Sequence, residues 1–146
     1  MPTYPLPHRI QDFLNRQIAW SREVLGELEA FCDAPEDADF DGDLARQQRR
    51  ERETRDMAKE YRGLSREWAS ATDIAPEVEA EIRQLSREAD ELIEQLRLGY
   101  QRAEAEATAR REANQAAMHD LRRGRRSVNI YSPGLPVSPG FIDRKA

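Results

Sequence analysis

Residues 76–96 read PEVEAEIRQLSREADELIEQL, and this stretch decides the fold. Its apolar residues Val78, Ile82, Leu85, Ala89, Leu92 and Leu96 recur at alternating steps of four and three, the spacing that places all of them on one face of an α-helix. Pro76 stands where such a helix begins. Its missing N–H costs nothing at the first helical position. The charged residues between the apolar ones belong to the solvated face.

Toward the C-terminus, the stripe shifts beyond Gly99 to Tyr100, Ala103, Ala107, Ala117 and Leu121, a four-residue step inserted into the heptad that changes the local supercoil. Alanine favours helix but offers little contact area, so this part is expected to be helical and weakly held. Gly124, inside Arg122-Arg123-Gly124-Arg125-Arg126, is the expected stop. Toward the N-terminus, 72–77 reads as a turn. Before it, Met57, Tyr61, Leu64 and Trp68 form the seam of a second helix over about 44–71. The first half of that helix, 46–56, is almost purely charged and is expected to project into solvent or pack weakly.

Residues 33–43 (DAPEDADFDGD) form an acidic loop, since proline, glycine and repeated aspartates disfavour helix. Over about 8–32, Leu14, Ile18, Ser21, Leu25, Leu28 and Cys32 make one stripe and Ile10, Phe13, Trp20, Val24 and Phe31 an adjoining one. A face this wide serves two neighbours, as in a bundle. The expected fold is all-α: an antiparallel helical hairpin or three-helix bundle with coiled-coil character. It comprises an extended lead-in over 1–7, the bundle over 8–126 with helices about 8–32, 44–71 and 76–123, and a Pro/Gly-rich tail over 127–146. Trp20 and Trp68, each on an apolar face, are expected to meet in the core.

The composition agrees with a thin core under a large solvated surface: 146 residues, 38% hydrophobic, 7% aromatic and 35% charged. A net charge of -5 argues against general affinity for nucleic acid, which needs a basic face for counterion release. The single cysteine and an N-terminus without a basic start and apolar run point to the cytoplasm. No run approaches the roughly 20 apolar residues of a membrane span, so membrane insertion is not expected.

Asp37, Asp39, Asp41 and Gly42 fall at the first, third, fifth and sixth positions of an EF-hand calcium loop, and Leu44 at its eighth. The twelfth position is Gln48, whose amide cannot replace the bidentate carboxylate. An interhelical loop is the simpler reading. His8, His119 and Cys32 lack partners at metal-ligand or triad spacing. No nucleophile, base and orienting group can be named together, so neither an enzyme nor a cofactor is expected. The arginines around Gly124 complement a helix C-terminus and could also hold an acidic partner.

The final stretch, YSPGLPVSPGFIDRKA over 131–146, combines helix breakers with spaced apolar residues, the composition of a segment that docks on something. A bundle of long helices followed by a tyrosine, a Pro/Gly-bearing linker and a close of apolar, apolar, Asp, basic, basic, Ala resembles the FlgN-type flagellar export chaperones. The matching residues are Tyr131, the linker 132–140, and Phe141-Ile142-Asp143-Arg144-Lys145-Ala146. The chain departs from that family's asparagine-bearing last helix, having Gln101, Arg102 and an alanine-rich run there, with Asn114 alone further on.

The resemblance implies a cytoplasmic type III export chaperone, working without nucleotide or metal. It would bind C-terminal helices of hook-filament junction proteins, prevent their premature assembly and pass them to the export apparatus. The expected helix-binding strip is Ala103, Ala107, Ala117, Met118 and Leu121, with Tyr131, Leu135, Phe141 and Ile142 as tail anchors. The competing reading is a structural coiled-coil adaptor acting by helix-helix pairing.

Overall fold

The computed structural model describes residues 4–35 and 43–131, the side chains of Asp43 and 126–131 excepted. It contains three helices, α1 (Leu6–Asp33), α2 (Asp43–Ala69) and α3 (Pro76–Tyr131), and among the described residues no strand. The all-α helical architecture expected from the apolar spacing is present. The chain divides into two compact units, 1–101 and 102–146, with α3 contributing to both.

Unit 1 holds α1, α2 and the first turns of α3. α2 runs antiparallel to α1, because Arg9 pairs with Glu67, Arg16 with Glu60 and Arg50 with Glu27. α3 runs parallel to α1: Gln11 donates to Glu81, Arg22 pairs with Glu88, and Gly99 lies beside Leu28. The exposed pairs, which exclude the buried Arg50, contribute about 0–1 kcal/mol each, so those charges report the register more than they create it. The stability comes from the buried cluster of Ile10, Phe13, Leu14, Ile18, Leu64, Ile82, Ala89 and Leu92. Burying each of its larger side chains contributes about 1.5–3 kcal/mol.

The alternating stripe of α3 is the part of this core most legible in advance. Ile82, Ala89, Leu92 and Leu96 are buried and Val78 and Leu85 half-buried. On α1 the two overlapping stripes both contribute, with Phe13 and Val24 from one and Leu14, Ile18 and Ser21 from the other. This is how one helix serves two neighbours. The chain turns between α2 and α3 with Ser70 Oγ donating to the carbonyls of Arg66 and Glu67. Asp73 takes a positive φ of 59° there, a left-handed conformation that aspartate tolerates better than most residues.

Four expectations need correction, the last in part. α1 starts at Leu6 rather than near His8: Pro5 caps it, and Pro7 sits in the first turn, where no N–H is required. α3 passes through Gly124 to Tyr131, so helix occupies 127–131, the start of the expected tail. A single glycine costs only about 1 kcal/mol in a helix interior, too little to end one where it is flanked by arginines that favour helix on both sides. Trp20 and Trp68 do not meet, because the antiparallel register sets Trp20 against Glu53 while Glu67, next to Trp68, pairs with Arg9. The charged first half of α2 is exposed as expected except at Arg50, buried at 7% exposure, and the half-buried Glu53.

Ser21 is fully buried, and its Oγ has no hydrogen-bond partner among the described residues. Ser21→Ala removes a desolvated hydroxyl and improves helix propensity, so it should stabilise the bundle by about 1 kcal/mol in denaturant titration. At Gly124, an added Cβ would meet nothing within 4 Å. Gly124→Ala should therefore strengthen the later turns of α3 by about 1 kcal/mol, seen as slower hydrogen exchange of the surrounding amides.

Candidate functional site

α2 carries few apolar residues, and this local fact shapes the site. Toward α3 it presents Thr54 and Ala58, which are short, and α3 answers with Ser86 and Ala89. These side chains cannot close the space between the two helices. A groove of about 650 Å³ remains, within unit 1. Phe13 and Leu14 of α1 form its floor, Met57 and Tyr61 line the α2 wall, and Ile93 and Tyr100 line the α3 wall. Tyr61, Ile93 and Tyr100 are 57%, 45% and 47% exposed. These large apolar surfaces face an open trough.

From Ser86 to Tyr100 the α3 wall is about 21 Å long at 1.5 Å per residue, or roughly four helical turns. An elongated apolar trough between two helices, floored by a third, matches the site that accepts an amphipathic helix by its apolar face. The volume also falls in the range of small-molecule pockets. The open shape and scarcity of convergent polar groups in its middle favour the extended occupant.

At one end the groove adjoins a polar pocket of about 430 Å³ lined by Gln47, Arg50, Glu51, Thr54, Arg55 and Tyr100. Arg50 organises this end. Its guanidinium donates to Glu23 at 2.9 Å, to Glu27 at 2.5 and 3.1 Å and to Glu53 at 2.8 Å. Hydrogen bonding to Glu27, then to Glu23 and Glu53, raises the Arg50 pKa above the usual arginine value against the opposing effect of burial. The side chain is a fixed cation. Trp20 Nε1 donates to Glu53 at 2.6 Å, and this bond, followed by those from Arg50, holds the Glu53 carboxyl below its ordinary value. Burial pushes the Tyr100 phenol up, with the Arg50 charge opposing.

The strip expected to bind a helix lies elsewhere, in unit 2. At 100° per residue, Ala103, Ala107, Ala117, Met118 and Leu121 share one face of α3, spanning about 100° of arc. Ala103, Ala107 and Met118 are half-buried, while Ala117 and Leu121 are exposed. Tyr131 is the last residue of α3, its side chain outside the description, and Leu135, Phe141 and Ile142 lie outside the described residues.

Sequence reasoning overlooked Ile93 and treated Tyr61 and Tyr100 only as seam residues. The signal was a second apolar row beside the seam of α3, Ile93 and Tyr100 next to Leu92 and Leu96, set against an α2 too polar to cover it.

The aspartates of the calcium-like loop also lie outside the described residues, and Gln48 sits within α2. Among the described residues no group of three or more His, Cys, Asp or Glu is arranged to hold a metal ion. No described helix is long and apolar enough to cross a membrane. The chain is a helical-bundle protein with an open apolar groove between two of its helices. No protein-family model, curated protein or solved structure matches it.

The depressed Glu53 carboxyl gives a pH dependence of definite sign. Its contribution is present above the unfolded carboxylate pKa of about 4.3 and is lost as the pH falls through the lower folded value. Wild type should therefore exceed Glu53→Gln in stability at neutral pH, with the gap narrowing below about pH 4.5. Urea midpoints measured across that range check this.

Proposed function

We propose that this chain is a helix-binding protein, holding an amphipathic helix of a client in the groove between α2 and α3. The observation that carries this reading is the trough itself: a floor of buried core residues and walls bearing the half-exposed Tyr61, Ile93 and Tyr100. An inserted helix would bury those side chains, at about 25 cal/mol per Å² of apolar surface covered. It would complete a four-helix arrangement in unit 1. Large exposed apolar side chains are a liability in a free chain unless they have an occupant.

The resemblance of 131–146 to flagellar export chaperones supplies the client class. On this reading the groove receives C-terminal helices of hook-filament junction proteins in the cytoplasm, hiding their self-assembling surfaces until transfer to the export apparatus. The chain acts by binding alone, without cofactor or catalysis. The strip from Ala103 to Leu121 and the anchors Tyr131, Leu135, Phe141 and Ile142 are proposed as further client contacts. A coiled-coil adaptor would need its best heptad seam free for another chain. Here Ile82, Ala89, Leu92 and Leu96 are already buried in unit 1, which favours the chaperone reading.

The test is capture of C-terminal helical peptides of junction proteins by the full chain and its variants. Ile93→Glu places a charge on an exposed groove wall, so its circular dichroism should match wild type while its affinity falls about tenfold or more. Deletion of 132–146, which leaves α3 whole, should weaken capture severalfold without loss of helicity. If Ile93→Glu binds as tightly as wild type, the groove is not the client site.

A further inference from the structure

The outer edge of α2 has a charge pattern that the groove alone does not explain. Arg52, Arg55, Lys59, Arg62 and Arg66 follow one another at steps of three, four, three and four, which sets all five along one side of the helix. All are exposed, and among the described residues none of the five side chains forms an ion pair or hydrogen bond. The opposite edge of α2 behaves differently. There Glu53, Glu60 and Glu67 are engaged by Arg50, Arg16 and Arg9, so these three acids are taken up by the bundle, and of the exposed acids left on α2 beside the five cations, Glu51 and Asp56, Glu51 lines the polar pocket with Arg55.

This cationic row borders the groove. Arg55 lines the polar pocket that adjoins it, and Arg62, two turns on along the same side of α2, follows the wall residue Tyr61 in the chain. The α3 rim carries no such excess, since Arg83 pairs with Glu79, Arg97 with Glu94, and Asp90 lies on the wall beside them. The trough is thus electrically lopsided in a chain whose net charge is -5. Free cations in a row beside an apolar trough select the flank of whatever helix lies in it.

We infer that the groove takes an acidic amphipathic helix, about four turns long, whose apolar face fills the trough and whose Asp/Glu row lies along Arg55 and Arg62. The inference rests on the helix-binding reading above and adds partner charge and orientation. With the acidic row on one flank only, the helix has one favoured direction. Reversing it would set the acids against Asp90 and the neutralised α3 rim.

The probes are three labelled peptides of about 14 residues that share one Leu/Ile face and differ in one flank, which is Glu, Gln or Lys. Fluorescence anisotropy with the full chain should rank them Glu, then Gln, then Lys, with about tenfold between the first two. The advantage should shrink between about 50 and 500 mM salt. Arg55→Glu combined with Arg62→Glu, both exposed, should keep the circular dichroism of wild type and invert the ranking.

Equal binding of all three peptides leaves the groove reading standing and overturns the charge selectivity. Failure of all three, the neutral one included, overturns both. Self-association by light scattering that the Glu peptide does not compete away assigns the trough to a second copy and overturns the inference. So does preferential binding of a single-stranded oligonucleotide at the same arginines.

Discussion

The buried Arg50 guanidinium determines how much of α2 belongs to the bundle. Leu64 is the one buried apolar residue of that helix, with Met57 and Trp68 packed at the edge of the core, all in the second half. Nothing apolar draws in the first half. Arg50 instead reaches Glu23 and Glu27 on α1 while also holding Glu53, which Trp20 fixes from the other side. A buried ion network contributes less net stability than apolar packing of the same volume. It is directional, however, and it ties α2 to α1 rather than to α3.

The groove follows from that asymmetry. α1 has apolar stripes for two partners and satisfies both, α3 by packing and α2 partly by charge. Between α2 and α3 only short side chains and a few large exposed ones are available, so this side of the triangle stays open. A more apolar α2 would close it and produce an ordinary three-helix core. On the same helix Glu53, Glu60 and Glu67 are engaged by Arg50, Arg16 and Arg9, while Arg52, Arg55, Lys59, Arg62 and Arg66 stay exposed. Groove and cationic edge are thus two consequences of one polar helix. In unit 2, α3 presents a small-residue face in which Ala103, Ala107 and Met118 are half-buried.

Helix positions were legible because the period of an amphipathic helix is local information. The alternation from Val78 to Leu96 and the double stripe of α1 are both present, with helix boundaries within a few residues except at the C-terminal end of α3. The misreadings share a cause: each extended a local rule to a question about neighbours or cumulative propensity. Gly124 was weighed as a stop without the helix-favouring residues around it. The burial of Arg50 is not legible in its charged segment, because it becomes visible only once the carboxylates of Glu23 and Glu27 on α1 are brought to it. Trp20 and Trp68 were paired by their common character, whereas the antiparallel register separates them along the bundle.

By itself the sequence determined that this is an all-α protein of three helices, which apolar stripes of α1 and α3 supply the core, and that its surface is densely charged. These depend on spacing and composition along a single segment. Only the tertiary structure decided which helix pair stays apart, which cations are left without partners, and therefore where a groove exists. Those properties depend on the distance between α2 and α3. That distance is set by side chains far apart in the chain, with Arg50 drawing α2 to α1 while Thr54, Ala58, Ser86 and Ala89 are too short to bridge the gap.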